Sequence, residues 1–269
     1  MQTVDRALQA LDLLSPLRPE VSVADVARAL EIDRSIASRL LAALQGRGYV
    51  TQDPHTGRFR LGIRALELGA LYLQHDRLTA AAVPHLEALA ARTVGMANLF
   101  VLRDGEAVRL ASYPARPMTG IRVPAHCTAA GKALLAALDP AELDQVLALR
   151  GLRPSTPRSI TSRDALVACL DEVRRQGVAE ELEERNLGRA CLAAPVRDVT
   201  GRTVAAVSVS WRRSQLTPSR RPELVDAVRD AALSVSDGLG PGPLDVPWER
   251  EPHESRREEP WNGTLVAVR

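Results

Sequence analysis

Apolar positions in residues 1–62 recur with helical spacing. Val4, Ala7, Leu8, Leu11 and Leu14 share one face of a helix that Pro16 and Pro19 end. Ser22, with Asp25 three residues on, reads as a capping box that opens a second helix with Val23, Val26, Ala27 and Leu30 inward. Glu31-Ile32-Asp33 forms a tight turn, and Asp33 is placed to cap a third helix. That helix keeps Ala37, Leu40, Leu41 and Leu44 inside and ends near Gly46 and Gly48. The period then shortens. Tyr49–Thr51 and Arg58–Leu61 read as strands around the turn Asp53-Pro54-His55-Thr56-Gly57. Helix–turn–helix followed by a β-hairpin is the winged helix-turn-helix pattern.

Residues 63–78 read as one helix with apolar side chains on more than one face. Ile63, Leu66, Ala70 and Leu73 step as in a short coiled-coil seam, and Leu68 and Leu71 mark a second face. Such a helix links domains and also packs on a partner. Residues 79–239 mix the two periods. Leu78–Arg92 is helical, with an interruption expected at Pro84. Ala97–Leu102 and Ala107–Tyr113 are strands joined by Asp104-Gly105, a strong hairpin signal. Helices follow near 128–138 and 140–149, the second opened by Asp139, Pro140 and Glu142. After a loop at Arg153–Ile160, a helix over 162–176 buries Leu166, Leu170 and Val173 and stops at Gly177. Leu192–Arg197 and Thr203–Trp211 are strands around the Asp198–Gly201 turn, and a last helix spans 219–237. Hairpins beside helices predict an α+β class: an antiparallel sheet covered by helices, not a doubly wound parallel sheet. Residues 240–269 open with Gly-Pro-Gly-Pro and turn charged and poor in apolar residues, so a largely disordered tail carrying Trp248 and Trp261 is expected.

Composition narrows the function. With 45 % hydrophobic and 25 % charged residues in 269, the chain has the mix of a soluble globular protein. A net charge of +2 is too small to mark the whole chain as a nucleic-acid binder, so local distribution must decide. Cys127, Cys169 and Cys191 are odd in number and widely spaced, as for free thiols in a reducing cytosol. The start MQTVDRAL has no basic region before an apolar core, and no run approaches a membrane span, so a cytoplasmic protein without signal peptide or membrane partner is expected.

Charge is concentrated in the first domain. Between residues 34 and 60 stand Arg34, Arg39, Arg47, Arg58 and Arg60 against the single acid Asp53. On the third helix Ser35, Arg39 and Ala42 point away from the core face, with Arg34 and Ser38 on the flanks. A groove-reading helix needs short polar and arginine side chains near its N-terminus, and wing arginines such as Arg58 and Arg60 are placed for phosphates. In the second domain, Thr128 can cap a helix whose start, Ala129-Ala130-Gly131-Lys132, is unobstructed and would attract a carboxylate or a phosphate. Lys132 is the only lysine, and its place a turn inside that helix favours a structural contact over an effector contact. Ser208 and Ser210 share one strand face and can offer hydroxyls. AHCTAAGKA lacks the leading glycine and trailing Ser/Thr of a P-loop, and no G-x-S-x-G, H-E-x-x-H or G-x-G-x-x-G occurs. His126 and Cys127 adjoin without a fourth ligand, so no metal, cofactor or catalytic residue is expected.

The run ALEIDRSIASRLLAALQGRGYV (29–50), then GRFRLG (57–62) and LELGALYL (66–73), resembles the IclR-type transcriptional regulators. GIRVPAHCTAAGKALLA (120–136), TPRSIT (156–161), VRRQGVAEELEERNLGRACLAAPVRDVTG (173–201) and VAAVSVS (204–210) continue the resemblance across residues 2–239. It implies a winged helix-turn-helix over 1–62, a dimerising linker helix over 63–78 and a GAF-like effector-binding domain over 79–239. It further implies a homodimer or dimer of dimers on a pseudo-palindromic double-stranded operator. Carried over by position, Arg34, Ser35, Ser38 and Arg39 read DNA, with Ile36 replacing a residue that is more often short and polar. Val123, Ala129, Ala130, Glu181 and Cys191 line the effector site, Glu181 standing where aspartate is more usual. A small-molecule effector such as an organic acid is expected, and a repressor is favoured over an activator. The rival readings are an enzyme or small-molecule binder with a vestigial helix-turn-helix, and a non-specific DNA binder.

Overall fold

The computed structural model describes residues 2–115 and 119–241. The chain divides into two compact units between Asp76 and Arg77. The first holds α1 (Gln2–Asp12), α2 (Val23–Ala29), α3 (Arg34–Gly46), β1 (Val50–Gln52), β2 (Phe59–Leu61) and α4 (Ile63–His75). Its core gathers Ala10, Val21, Val26, Ala37, Leu41, Leu44, Val50 and Phe59. The capping box forms as expected. Ser22 Oγ accepts from the Asp25 amide at 3.1 Å, and the Ser22 amide donates to Asp25 Oδ2 at 2.9 Å. Asp33 occupies the N-cap of α3 but makes no side-chain cap bond. The expected face of α1 is only partly inward: Ala7, Leu11 and Leu14 pack half-buried on the core, whereas Val4 and Leu8 are exposed, and Ala10, outside that set, is buried. The hairpin pairs Val50 with Leu61 and Gln52 with Phe59.

The start of α4 is held against the hairpin base, where the Arg64 amide donates to the Gly48 carbonyl. Gly62 is required there, since a Cβ would fall 2.1 Å from the Gly48 oxygen. No side chain of α4 is buried, and Ile63, Leu66, Leu68, Leu71 and Tyr72 are exposed. The helix ends at His75, short of the expected 78, because α5 (Arg77–Thr93) begins at once and belongs to the second unit. α5 runs through Pro84 without interruption. Pro84 and Ala80, whose carbonyl loses its amide donor, both lie on the exposed side, where water can replace the bond.

The second unit is built on one antiparallel sheet in the order β5-β4-β3-β8-β7-β6. Its strands are β3 (Met96–Arg103), β4 (Glu106–Tyr113), β5 (Arg122–Pro124), β6 (Ala179–Leu182), β7 (Arg189–Arg197) and β8 (Thr203–Arg212). The β3–β4 turn places Asp104 at φ 49° and Gly105 at φ 75°, the left-handed pair of a tight hairpin. The intervening helices are α6 (Ala129–Leu135), α7 (Pro140–Arg150) and α8 (Arg163–Gln176); α9 (Arg221–Gly238) comes last. α5 and α9 pack on one sheet face, through Leu86, Leu89, Leu224 and Val228 against Leu99, Leu192, Val207 and Val209. α6, α7 and α8 close the other face, through Leu134, Leu143, Leu166 and Leu170 against Phe100, Ala193 and Ala206. Leu166 and Leu170 are fully buried, which contributes about 1.5–3 kcal/mol each. This is the α+β architecture anticipated, with β6 an addition the periodicity did not anticipate. The expected disordered tail, with Trp248 and Trp261, falls beyond residue 241, outside the described residues.

Candidate nucleic-acid interface and ligand pocket

On α3 the core side chains Ala37, Leu40, Leu41 and Leu44 are buried, and Arg34, Ser35, Ser38 and Arg39 are exposed. The spacing sets 34 above 38 and 35 above 39, two neighbouring columns on one face. Neither guanidinium is engaged by an ion pair or hydrogen bond within the described residues, so both forks are free for a ligand. Ile36 is half-buried beside them. The wing departs from expectation. Arg60 is exposed, but Arg58 turns back onto its own domain. Its Nη2 donates to Asp25 Oδ2 and to the Glu20 carbonyl, both at 3.2 Å. Arg58 therefore ties the wing to the α2 cap, while its side chain stays 42 % exposed. These bonds explain why the Asp25 carboxyl lies below its ordinary range, through the Ser22 amide and hydroxyl first and the Arg58 charge after them.

In the second unit, strand pairing gathers most of the expected pocket residues into rows. Glu181, Cys191 and Ser210 stand opposite one another across β6, β7 and β8, and Met96 of β3 continues the row. The next row joins Ala179, Ala193, Ser208 and Asn98. Both lie on the face that α6 and α8 cover. Glu181 is 2 % exposed. Its Oε1 accepts from the Glu184 amide at 2.7 Å and the Arg185 amide at 3.1 Å. Burial pushes its pKa up, opposed by those amides and by the Cys191 thiol. The Cys191 thiol is raised well above its ordinary value by burial and by the Glu181 charge. Both causes favour the protonated thiol. Ser210 accepts from Arg189 at 3.3 Å.

Ala129 and Ala130 are buried in the same core, and Val123, on β5, packs against it half-buried. The expected anion site at the helix start is partly taken up by its own cap. Thr128 Oγ1 already accepts from the Gly131 amide at 3.3 Å, and α6 spans only seven residues, all buried. Gly131 lets α6 approach the preceding loop, since a Cβ would fall 2.2 Å from the Ala125 oxygen. Lys132 is structural, as its position indicated: fully buried, it pairs with Glu184 at 2.5 Å. An open depression of about 490 Å³ borders Met96, Pro114, Arg189, Ser210 and Trp211, and shares only Ser210 with the expected set.

The sequence reading passed over Arg109, Asn98 and Ser112. Arg109 stands opposite Phe100, and Asn98 opposite Ser112, on the face that α6 and α8 cover. An arginine inside the apolar run Ala107–Ala111 was the available signal. Among the described residues no group of three His, Cys, Asp or Glu could hold a metal, and no helix is long and apolar enough to cross a membrane.

Comparison with known proteins agrees with both halves. The IclR helix-turn-helix model matches residues 3–54, and the bacterial transcriptional regulator IclR C-terminal model matches residues 70–237. The chain is 32 % identical to the HTH-type transcriptional regulator XynR of Escherichia coli over 89 % of this chain and 98 % of that protein. It is likewise 32 % identical to the HTH-type transcriptional repressor AllR of Klebsiella pneumoniae, covering 89 % and 90 %. Among solved structures, an IclR transcriptional regulator from Alicyclobacillus acidocaldarius superposes with a TM-score of 0.78 at 27 % identity, covering 89 % of this chain and 99 % of that one. An IclR homolog from Microbacterium hydrocarbonoxydans, solved with 4-hydroxybenzoate, gives 0.75 at 25 % identity over 88 % and 98 %.

Proposed function

The chain belongs to the IclR family of bacterial transcriptional regulators, and from that membership we propose a cytoplasmic, ligand-responsive repressor acting on a pseudo-palindromic operator. One observation carries the DNA half: α3 presents Arg34, Ser35, Ser38 and Arg39 outward while its apolar side is packed. Arginine forks match guanine edges and serine hydroxyls match bases or phosphates. Arg60 of the wing supplies phosphate contact, and Arg58 supports the wing from within. The exposed apolar side chains of α4 favour a homodimer, which would set two reading helices at the spacing of successive major grooves. Dimers of dimers extend the same logic. Repression is favoured by the likeness to AllR, a repressor by name.

The effector is a small molecule held on the inner face of the second unit, by Ser208, Ser210, Glu181 and Cys191 with Val123, Ala129 and Ala130 as apolar lining. It regulates only through unequal affinity for the DNA-competent and DNA-released states. The protein works by binding, and no catalytic step, metal or cofactor is assigned.

Fluorescence anisotropy with DNA from upstream of the protein's own gene, against scrambled DNA at two salt concentrations, tests the reading. Wild type should prefer the upstream DNA, and Arg39→Ala should weaken that preference by about 1–3 kcal/mol. Equal, strongly salt-dependent binding to both DNAs would instead mark a non-specific binder.

A further inference from the structure

Among the described residues, one charge on the inner sheet face is short of hydrogen-bond partners. Arg109 is 8 % exposed, and its Nε and Nη1 are fully buried without a hydrogen-bond partner among the described residues. Its Cζ lies 5.3 Å from the centre of the Phe100 ring, a contact that holds the cation but satisfies none of its N–H groups. Burial dominates its surroundings and destabilises its charged form. Guanidinium groups do not give up their proton in proteins, so the charge stays. Its neighbours on the same face are also unanswered: Ser112 Oγ and the directly opposite Asn98 Oδ1 are buried without partners. The nearby acid does not serve Arg109. Glu181 Oε1 is committed to two backbone amides, and the Glu181 carboxyl also meets the Cys191 thiol.

Buried polar groups are ordinarily paired, and a buried charge left alone is retained against a cost. The deficit here has a definite sign and shape. A planar cation with free N–H groups lies beside a row of small hydroxyl and amide groups and an alanine lining. Its complement is a planar anion on a small body, which describes a carboxylate better than a tetrahedral phosphate. We propose that Arg109 is the anchor for the carboxylate of the effector, with Asn98, Ser112, Ser208 and Ser210 gripping its remaining polar atoms. The carboxylate meets a side chain, not the start of α6. This inference rests on the inner face being the effector pocket.

The test uses the full chain without DNA. Calorimetry is run with acetate, lactate, benzoate and 4-hydroxybenzoate, with the neutral amides of each, and with inorganic phosphate, on wild type, Arg109→Met, Arg109→Lys and Ser210→Ala. Wild type should bind at least one carboxylate and not its amide. Arg109→Met should weaken that binding about 30-fold or more, as loss of one partner of a buried charge pair does. Arg109→Lys, which keeps the charge and loses the fork, should fall between. Ser210→Ala should lose about 10-fold at most, the scale of one neutral hydrogen bond. Arg109→Met should melt no lower than wild type without ligand, because it removes an unanswered charge. Amides binding as well as carboxylates, phosphate alone binding, or no member of the panel binding overturns the proposal. Loss in Ser210→Ala with no loss in either Arg109 variant overturns the anchor and leaves the pocket standing. Carboxylate binding that no variant alters overturns the pocket and the anchor together.

Discussion

Replacing Lys132 with methionine removes one charge and strands another. The Lys132 side chain is 2 % exposed and that of Glu184 is 12 % exposed. Glu184 Oε2 already lacks a partner in the interior. Methionine keeps most of the stem's packing, so the effect isolates the charge. Breaking a buried ion pair from one side costs about 3–5 kcal/mol, most of it the orphaned partner. For a unit of this size about 2–4 °C accompany each kcal/mol, so its melting temperature should fall by roughly 6–20 °C. The double variant Lys132→Met/Glu184→Gln leaves no orphaned charge and should recover most of the loss. The pair also braces the wall of the proposed pocket. Thr156 and Ser159 hydroxyls donate to the Glu184 carbonyl, and the Glu184 amide donates to Glu181. Calorimetric melting and urea titration of the four proteins of the cycle give the coupling directly. A loss below about 1 kcal/mol, or a double variant as unstable as Lys132→Met alone, would refute the claim that the pair is a desolvated, mutually dependent one.

The parts of the fold that were legible in sequence are those that local chemistry decides. Ser22 with Asp25, Asp139 with Glu142, and Asp104-Gly105 each set their cap or turn within four residues, and each formed as read. The inward faces of α3 and α8 were equally clear, because their partners lie inside the same unit. Val4 and Leu8 share the same helical spacing yet are exposed, since periodicity marks an apolar face without saying that anything covers it. β6 was hidden because its residues, Ala179-Glu180-Glu181-Leu182, lack the β-branched and aromatic side chains that favour strands. Burial alternates along it all the same, and Glu180 on the outer side pairs with Arg221. The proposed pocket was half legible. Glu181, Cys191, Ser208 and Ser210 belong to recognisable runs, whereas Arg109 and Asn98 join them only through cross-strand register. Five strands meet there, β3, β4, β6, β7 and β8, and no spacing along one strand encodes that meeting.

The two wing arginines should separate by role. Arg60→Ala should lower DNA affinity and reduce the salt slope by about one. Arg58→Ala should do neither directly and should instead destabilise the first unit, read as a lower melting temperature; a reduced salt slope for Arg58→Ala would restore it as a phosphate contact. The first unit should also show a carboxylate-dependent acid sensitivity centred on Asp25. Its folded pKa lies below the ordinary 3.8, held down by the Ser22 amide and hydroxyl and by Arg58. The unfolded chain therefore takes up the proton first as pH falls. Stability from the ionised group is fully present above about pH 4 and is lost as pH drops through the folded value. Asp25→Asn should consequently be less stable than wild type by about 1 kcal/mol at pH 6, and the gap between the two should be narrower at pH 3. A gap of the same size at both pH values would mean that the charge of Asp25 contributes nothing and that only the shape of its cap matters.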